Sequence, residues 1–418
     1  METIFTNGGT KNMDPVKGNA IIGQSGGPTA VINQSLVGVV EAAKASGKIG
    51  QFFGARHGVK GILGEDFVHL FDEPVDVLEQ VAMTPSSALG SVRKKPTRDE
   101  CLAMFEVMKK RDIHYFFYIG GNDSAETTHI IQQVAQDSGY DLACWHVPKT
   151  VDNDLRVTDH CPGYGSAARF VASAFMGDNL DNRSLPGIKI NVVMGRHAGF
   201  LTAASALGRK YPDDGPHLIY MPERPITRDQ IVEEIAAVYK RLGRCVVAVS
   251  EGIVDANSKD HLTFTEVIAK GNELARDTHG NVQLSGSGAL GDWLMDQVKQ
   301  ALGGSIRVRA DTFGYLQRSF PGVISPTDAA EARMCGKKAV EFALSGMGSG
   351  SVAMIRKPGP DYAIEYKPTE LQNVAKETRG MPGEYICEKG NDVTKAFIDY
   401  ASPLIGELPP YGRLKGMI

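Results

Sequence analysis

The chain has 418 residues, longer than one hydrophobic core usually supports, so two domains are expected and a small stapled scaffold is excluded. A formal net charge of −4 with both signs distributed gives no reason to expect nucleic acid or an anionic membrane as the main partner, so any anion site must be local. The six cysteines stand apart without a C-x-x-C pair, which argues for a reducing compartment and against structural zinc.

Residues 1–18 are polar, with no apolar stretch of the signal-peptide kind, and no apolar run in the chain is long enough to span a bilayer. A soluble, cytoplasmic protein is expected. Residues 19–22 read as a strand that runs into the turn Gly23-Gln24-Ser25-Gly26-Gly27-Pro28-Thr29. A helix follows, because Val31, Ile32, Leu36, Val39 and Val40 recur at helical spacing. Glycines ahead of a helix let backbone N–H groups approach an anion at its positive end, although a Gly-Gly turn also serves as a plain connection. Arg93-Lys94-Lys95 with Arg98 is a basic run of the kind that usually faces solvent.

The same grammar returns at residues 113–119, a buried strand leading into Gly120-Gly121-Asn122-Asp123-Ser124 and a helix over 125–134. Asp123 and Ser124 suit helix capping; in a phosphate site, Ser124 and nearby amides would hold the anion while a carboxylate faces its magnesium. Residues 141–147 form a further apolar strand, stopped by Pro148. Lys149-Thr150-Val151-Asp152-Asn153-Asp154 then sets a cation, a hydroxyl and two carboxylates at a strand's C-terminal end. Open α/β sheets place their ligands there.

Residues 188–194 lead into Gly195-Arg196-His197-Ala198-Gly199 and an Ala/Leu-rich helix through Leu207, so Arg196 sits at a turn suited to bidentate phosphate contact. A strand over 244–250 ends at Glu251-Gly252, whose carboxylate suits a sugar hydroxyl. Between them Ile231, Ile235, Val238 and Leu242 make one helix face. Arg307 and Arg309 precede Gly314-Tyr315-Leu316-Gln317-Arg318, a cluster that reads either as a phosphate site or as a basic surface strand. Residues 345–351 and 376–383 look like connections. Residues 367–418 carry no functional signature and are expected to pack on the second lobe. Alternating strands and helices predict an α/β protein, with two lobes of mainly parallel sheet flanked by helices.

Taken in order, these blocks resemble the phosphofructokinase family over residues 19–328, and within it the pyrophosphate-dependent branch. The resemblance implies a Rossmann-like two-lobed fold, with residues 1–160 and about 317–366 in a pyrophosphate lobe and 161–316 and about 367–418 in a sugar-phosphate lobe. It implies reversible, magnesium-dependent phosphoryl transfer from pyrophosphate to the 1-hydroxyl of fructose 6-phosphate. Asp152 matches the family's general base, with Thr150 and Asp154 orienting it and the metal-bound phosphate. Arg93 matches a bridge to the transferring group, and Gly26 and Gly27 an amide cradle for it. Asp123, Ser124 and Lys149 join that donor site.

Met194, Gly195, Arg196, Glu251, Arg309, Tyr315 and Arg318 match sugar-phosphate or transition-state contacts. The equivalent of Arg309 reaches in from a neighbouring subunit, which implies a homodimer or higher oligomer. ATP-using relatives carry glycine at the positions of Asp123 and Lys149. An aspartate at the first crowds the α-phosphate of ATP, while a lysine at the second supplies charge for pyrophosphate. Val59 stands where ATP-dependent relatives stack adenine on tyrosine, and offers no aromatic face. The family's usual aspartate is Asn122 here, so magnesium is expected to draw on Asp123, Asn122 and Asp154 together with the pyrophosphate oxygens. An ATP-dependent or sedoheptulose 7-phosphate kinase and a non-catalytic sugar-phosphate-binding subunit are the alternatives.

Overall fold

The strands expected at residues 19–22, 113–119, 141–147, 188–194 and 244–250 form close to those bounds in the computed structural model, which describes residues 18–268, 288–375 and 377–414. β1 (Gly18–Gln24), β2 (Ile49–Ala55), β3 (Phe67–His69), β4 (Ile113–Gly120) and β5 (Ala143–Pro148) belong to a seven-stranded sheet. The chain then builds a four-stranded parallel sheet from β6 (Ile188–Val193), β7 (Leu218–Tyr220), β8 (Cys245–Ser250) and β9 (Val308–Thr312). It returns to the first sheet with β10 (Gly350–Arg356) and β11 (Ile364–Thr369), giving the orders β11-β10-β5-β4-β1-β2-β3 and β7-β8-β6-β9. Only the outer strands β3 and β11 run antiparallel.

The continuous apolar character of these strands follows from burial on both faces. In β4, Tyr115, Phe117 and Ile119 enter one core with Trp145 and Val147, while Phe116 and Tyr118 enter the other with Ile21 and Cys144. The second sheet repeats this: Val246 and Ala248 face one core, Cys245, Val247 and Val249 the opposite one. Parallel register brings the strand ends level, pairing Gln24 with Ile119, Gly120 with Pro148 and Val193 with Ser250. All the turns singled out above therefore open at the C-terminal edges of the two sheets.

Three expectations are corrected. Gly350 and Ser351 lie in β10, not in a connection, because the small residues let the strand pass Trp145: a Cβ at Gly350 would sit 3.0 Å from the indole. The helix expected through Leu207 is one α-turn, Phe200–Ala203, followed by the 3₁₀ segment Ala204–Gly208. The tail divides between cores. Val374 packs with Ala125, Leu155 and Cys161, whereas Phe397, Tyr400 and Leu404 of helix Lys395–Ile405 join the core of the second sheet.

Helix Ile32–Ser46 lies against helix Pro326–Ala343 with backbone in near contact. A Cβ at Gly38 would fall 2.1 Å from the Arg333 carbonyl oxygen, and one at Gly336 would fall 2.2 Å from that of Ser35. Neither obstacle is a side chain that can turn away. Gly38→Ala is therefore expected to lower stability by about 1–3 kcal/mol through overpacking, and an unchanged urea midpoint would contradict this crossing.

Candidate active site

The stretch after β5 is held from below by backbone pairing. Lys149 N–H donates to the Gly120 carbonyl at 2.9 Å, and Thr150 N–H donates to the Pro162 carbonyl at 3.2 Å. The Thr150 hydroxyl accepts from Asp152 N–H at 3.1 Å and donates to Asp154 Oδ1 at 3.4 Å, so one hydroxyl links both carboxylate residues. Asn153 between them has φ +60°, a left-handed conformation that asparagine tolerates better than most residues. Its buried amide donates to the Tyr400 hydroxyl at 2.8 Å and accepts from Cys161 N–H at 3.0 Å.

Lys149 is 2% exposed, and its Nζ donates to the Gly27 carbonyl at 2.6 Å. The turn can take this approach because Gly26 has φ +76° and its absent Cβ would lie 3.3 Å from that Nζ. At Gly27 a Cβ would meet the Arg318 guanidinium at 3.0 Å. Burial first, then the charges of Arg318 and Arg93, bring the lysine pKa down to about 7. Burial and Arg93 depress Arg318 as well. Cations crowded around a glycine turn are the mark of a site built for a multiply charged anion.

Opposite stand the two carboxylates. Burial pushes the Asp152 pKa up, against the pull of Arg196, His197 and Lys149; burial and the neighbouring charge of Asp152 push Asp154 up. Asp152 is thus held more basic than an exposed aspartate, which suits a proton acceptor. Ser124 is buried at the start of helix Asn122–Asp137. Met194 N–H donates to Gln317 Oε1 at 3.2 Å, and Gly195 N–H to the buried Glu251 Oε1 at 3.4 Å. These bonds tie the Arg196 turn to the Glu251 and Arg318 turns. The Arg318 guanidinium lies over the Tyr315 ring, 4.4 Å from its centroid.

Not every predicted residue enters this cluster. Arg309 lies exposed on the edge strand β9, its Nη1 donating to the carbonyl of Val308 at 2.9 Å. Asp123 pairs with Lys95 at 2.9 Å. The Asn122 amide donates to the carbonyls of Glu377 at 2.9 Å and Val374 at 3.3 Å. Among the described residues no three His, Cys, Asp or Glu side chains gather as a ready metal cage. Magnesium does not need one, since it is commonly held by one or two carboxylates plus substrate phosphates. The mutually repelling pair Asp152 and Asp154 fits such a cation; Asp123 and Asn122, engaged elsewhere, fit it less well.

Residues not singled out from sequence also belong here. His197 acts on Asp152, and Gln317 bridges turns, both from within quoted motifs. Arg379 comes from the tail, where no local signal marked it.

Behind the loop, buried His160 sits between Asp159 Oδ2 at 2.8 Å and Glu331 Oε2 at 2.6 Å, with Arg356 Nε 3.1 Å from Asp159. Burial opposes its charge, but the two carboxylates together outweigh it and raise its pKa. A group whose folded pKa exceeds its unfolded value of about 6.5 stabilises fully below that pH and loses the contribution as pH rises through the folded value. The stability lead of the parent chain over His160→Gln should therefore be largest near pH 6 and shrink on the alkaline side; a lead that grows with pH would contradict the clamp.

A glycine turn ringed by cations and faced by a buried carboxylate, at the C-terminal edges of two mainly parallel sheets, defines an enzyme of the doubly wound α/β class that handles a polyanion. Residues 19–343 match the family model described as Phosphofructokinase, and the chain belongs to that family. It is 53% identical over 400 residues to the pyrophosphate--fructose 6-phosphate 1-phosphotransferase of Rhodospirillum rubrum, covering 96% of this chain and 97% of that one. It is 29% identical over 396 residues to the sulfofructose kinase of Alkalicoccus urumqiensis, covering 93% and 96%. The solved pyrophosphate-dependent phosphofructokinase of Nitrosospira multiformis superposes with a TM-score of 0.82 at 34% identity, covering 96% of this chain and 95% of that one.

Proposed function

We propose that the chain is a pyrophosphate-dependent phosphofructokinase that transfers a phosphoryl group reversibly from pyrophosphate to the 1-hydroxyl of fructose 6-phosphate, giving fructose 1,6-bisphosphate and phosphate. The observation that carries this is the buried Lys149, whose Nζ reaches the Gly26-Gly27 turn beside Arg318 and Arg93. A compact charge at that place suits the small, highly charged donor. Val59, fully buried, presents no surface for an adenine. The names of the relatives from Rhodospirillum and Nitrosospira support the same donor.

In this mechanism Asp152 takes the proton from the sugar hydroxyl as that oxygen attacks the terminal phosphorus. Gly26, Gly27, Ser124 and Lys149 hold the donor, while Arg93 and Arg196 offset charge on the transferring group. Glu251, Met194 and Gly195 position the sugar, and Arg318 with Tyr315 takes its 6-phosphate. Arg309 serves the site of a neighbouring copy, so the working form is at least a homodimer. Asp154 would hold magnesium together with the donor, and the ion would supply positive charge to offset that of pyrophosphate. The seven-stranded lobe takes pyrophosphate and the four-stranded lobe the sugar phosphate, in a cytoplasmic setting consistent with six free cysteines, five of them buried.

The test of the acceptor is a coupled assay of purified protein offering pyrophosphate with either fructose 6-phosphate or sedoheptulose 7-phosphate. Higher kcat/KM for the six-carbon sugar is expected; the reverse preference would overturn the acceptor assignment.

A further inference from the structure

The tail crosses the active site where nothing in its own sequence announces a role. Arg379 N–H donates to the Asp154 carbonyl at 2.8 Å, its Nε to the Asn153 carbonyl at 3.2 Å and its Nη2 to the Asp159 carbonyl at 2.6 Å. Thr378 makes an antiparallel bridge to Leu155. One side chain and its backbone thus cap three carbonyls around the left-handed residue Asn153, directly after Asp152. The guanidinium is seated over the Phe200 ring, 5.3 Å from its centroid, and Phe200 is part of the core of the second sheet.

Two further ties fix the same segment. Met381 N–H donates at 2.8 Å to Glu223 Oε1, which also accepts from Gly199 N–H at 2.9 Å at the end of the Arg196 turn. On the donor side, the Asn122 amide donates to the Glu377 carbonyl. An aspartate at 122 would have no proton to offer and would set a negative oxygen against a carbonyl. The departure from the family's usual aspartate thereby acquires a physical reason: position 122 anchors the tail.

We propose that the segment Glu377–Met381 is a working part of the active site, in which Arg379 is the positioning residue that fixes the Asp152–Asp154 turn and Asn122 ties that segment to the donor helix. The segment touches the base turn, the donor helix and, through Glu223, the Arg196 turn. It locks the donor and acceptor sides in one register. A base displaced by about 1 Å costs on the order of 10²-fold in rate, so the tail acts on turnover without touching substrate.

The inference rests on the phosphoryl-transfer reading, and its test separates the two. Arg379→Ala, Arg379→Lys, Asn122→Asp and the double variant Asn122→Asp/Arg379→Ala are compared with the parent by steady-state kinetics, thermal melting and amide hydrogen exchange at residues 150–155. Arg379→Ala is expected to lower kcat by roughly 10- to 10²-fold while both KM values stay within about threefold. Arg379→Lys, which keeps charge but not the fork, should recover part of the loss. Asn122→Asp should shift in the same direction, and the double variant should be no worse than Arg379→Ala, since both release the same segment from the base turn. Exchange at 150–155 should quicken in each, which holds whatever reaction the enzyme catalyses.

Unchanged kcat and exchange in Arg379→Ala overturn the proposal. So does a loss that merely tracks the unfolded fraction, or additive losses in the double variant. Should Arg379→Ala fail to fold, Arg379→Lys decides it: a reduced kcat at parental melting temperature supports positioning, and a parental kcat overturns it. A parent inactive with pyrophosphate but with quickened exchange in the variants would sink the reaction assigned above and leave the positioning role standing.

Discussion

Asp152→Asn is expected to lower kcat by about 10²- to 10⁴-fold while fructose 6-phosphate still binds, which corresponds to about 3–5 kcal/mol of barrier. The amide keeps the shape of the side chain and its backbone bond to the Thr150 hydroxyl, so the turn itself stays in place. What is lost is the acceptor for the sugar proton. Burial raises the proton affinity of Asp152 while the facing Arg196 and His197 favour its anion, a balance that suits a carboxylate accepting the sugar proton. A kinetic measurement that finds kcat reduced less than about tenfold would show that another group takes the proton.

The second large effect concerns the donor. Lys149→Met keeps the aliphatic stem and removes the charge, and is expected to lower kcat/KM for pyrophosphate by about 10- to 10²-fold, the range of a hydrogen bond to a charged group. The KM for fructose 6-phosphate should change little. Stability should not fall with activity, because a buried lysine whose pKa is brought down from 10.5 to about 7 opposes folding while protonated. At neutral pH the apolar variant is relieved of that cost. A variant that melts well below the parent, or that keeps full activity with pyrophosphate, would contradict the role of Lys149.

The parts of the molecule legible in the sequence are those whose signal is local. β1, β4, β5, β6 and β8 are buried on both faces, so their apolar runs stand out, and the polar turns that follow them fall at the ligand-bearing edge. Short β7 and the Gly-Ser start of β10 carry no such run, because their place is set by neighbours such as Trp145. Asp152, Lys149, Gly26 and Arg318 were readable from motif chemistry, and the structure brings them together. Arg379 was not readable. Its partners Asn153 and Asp159 lie 226 and 220 residues away, and an arginine among loop residues has no spacing that betrays such a contact. The partners of Asn122 were hidden for the same reason: the carbonyls it serves belong to the tail.

Pyrophosphate as the donor is tested by phosphorus NMR of a nucleotide-free reaction. Purified protein with magnesium, pyrophosphate and fructose 6-phosphate should consume pyrophosphate while orthophosphate and the 1-phosphate signal of fructose 1,6-bisphosphate grow in equal amounts, and the reverse mixture should regenerate pyrophosphate. A silent spectrum with pyrophosphate, together with bisphosphate formed only when ATP is supplied, would contradict it.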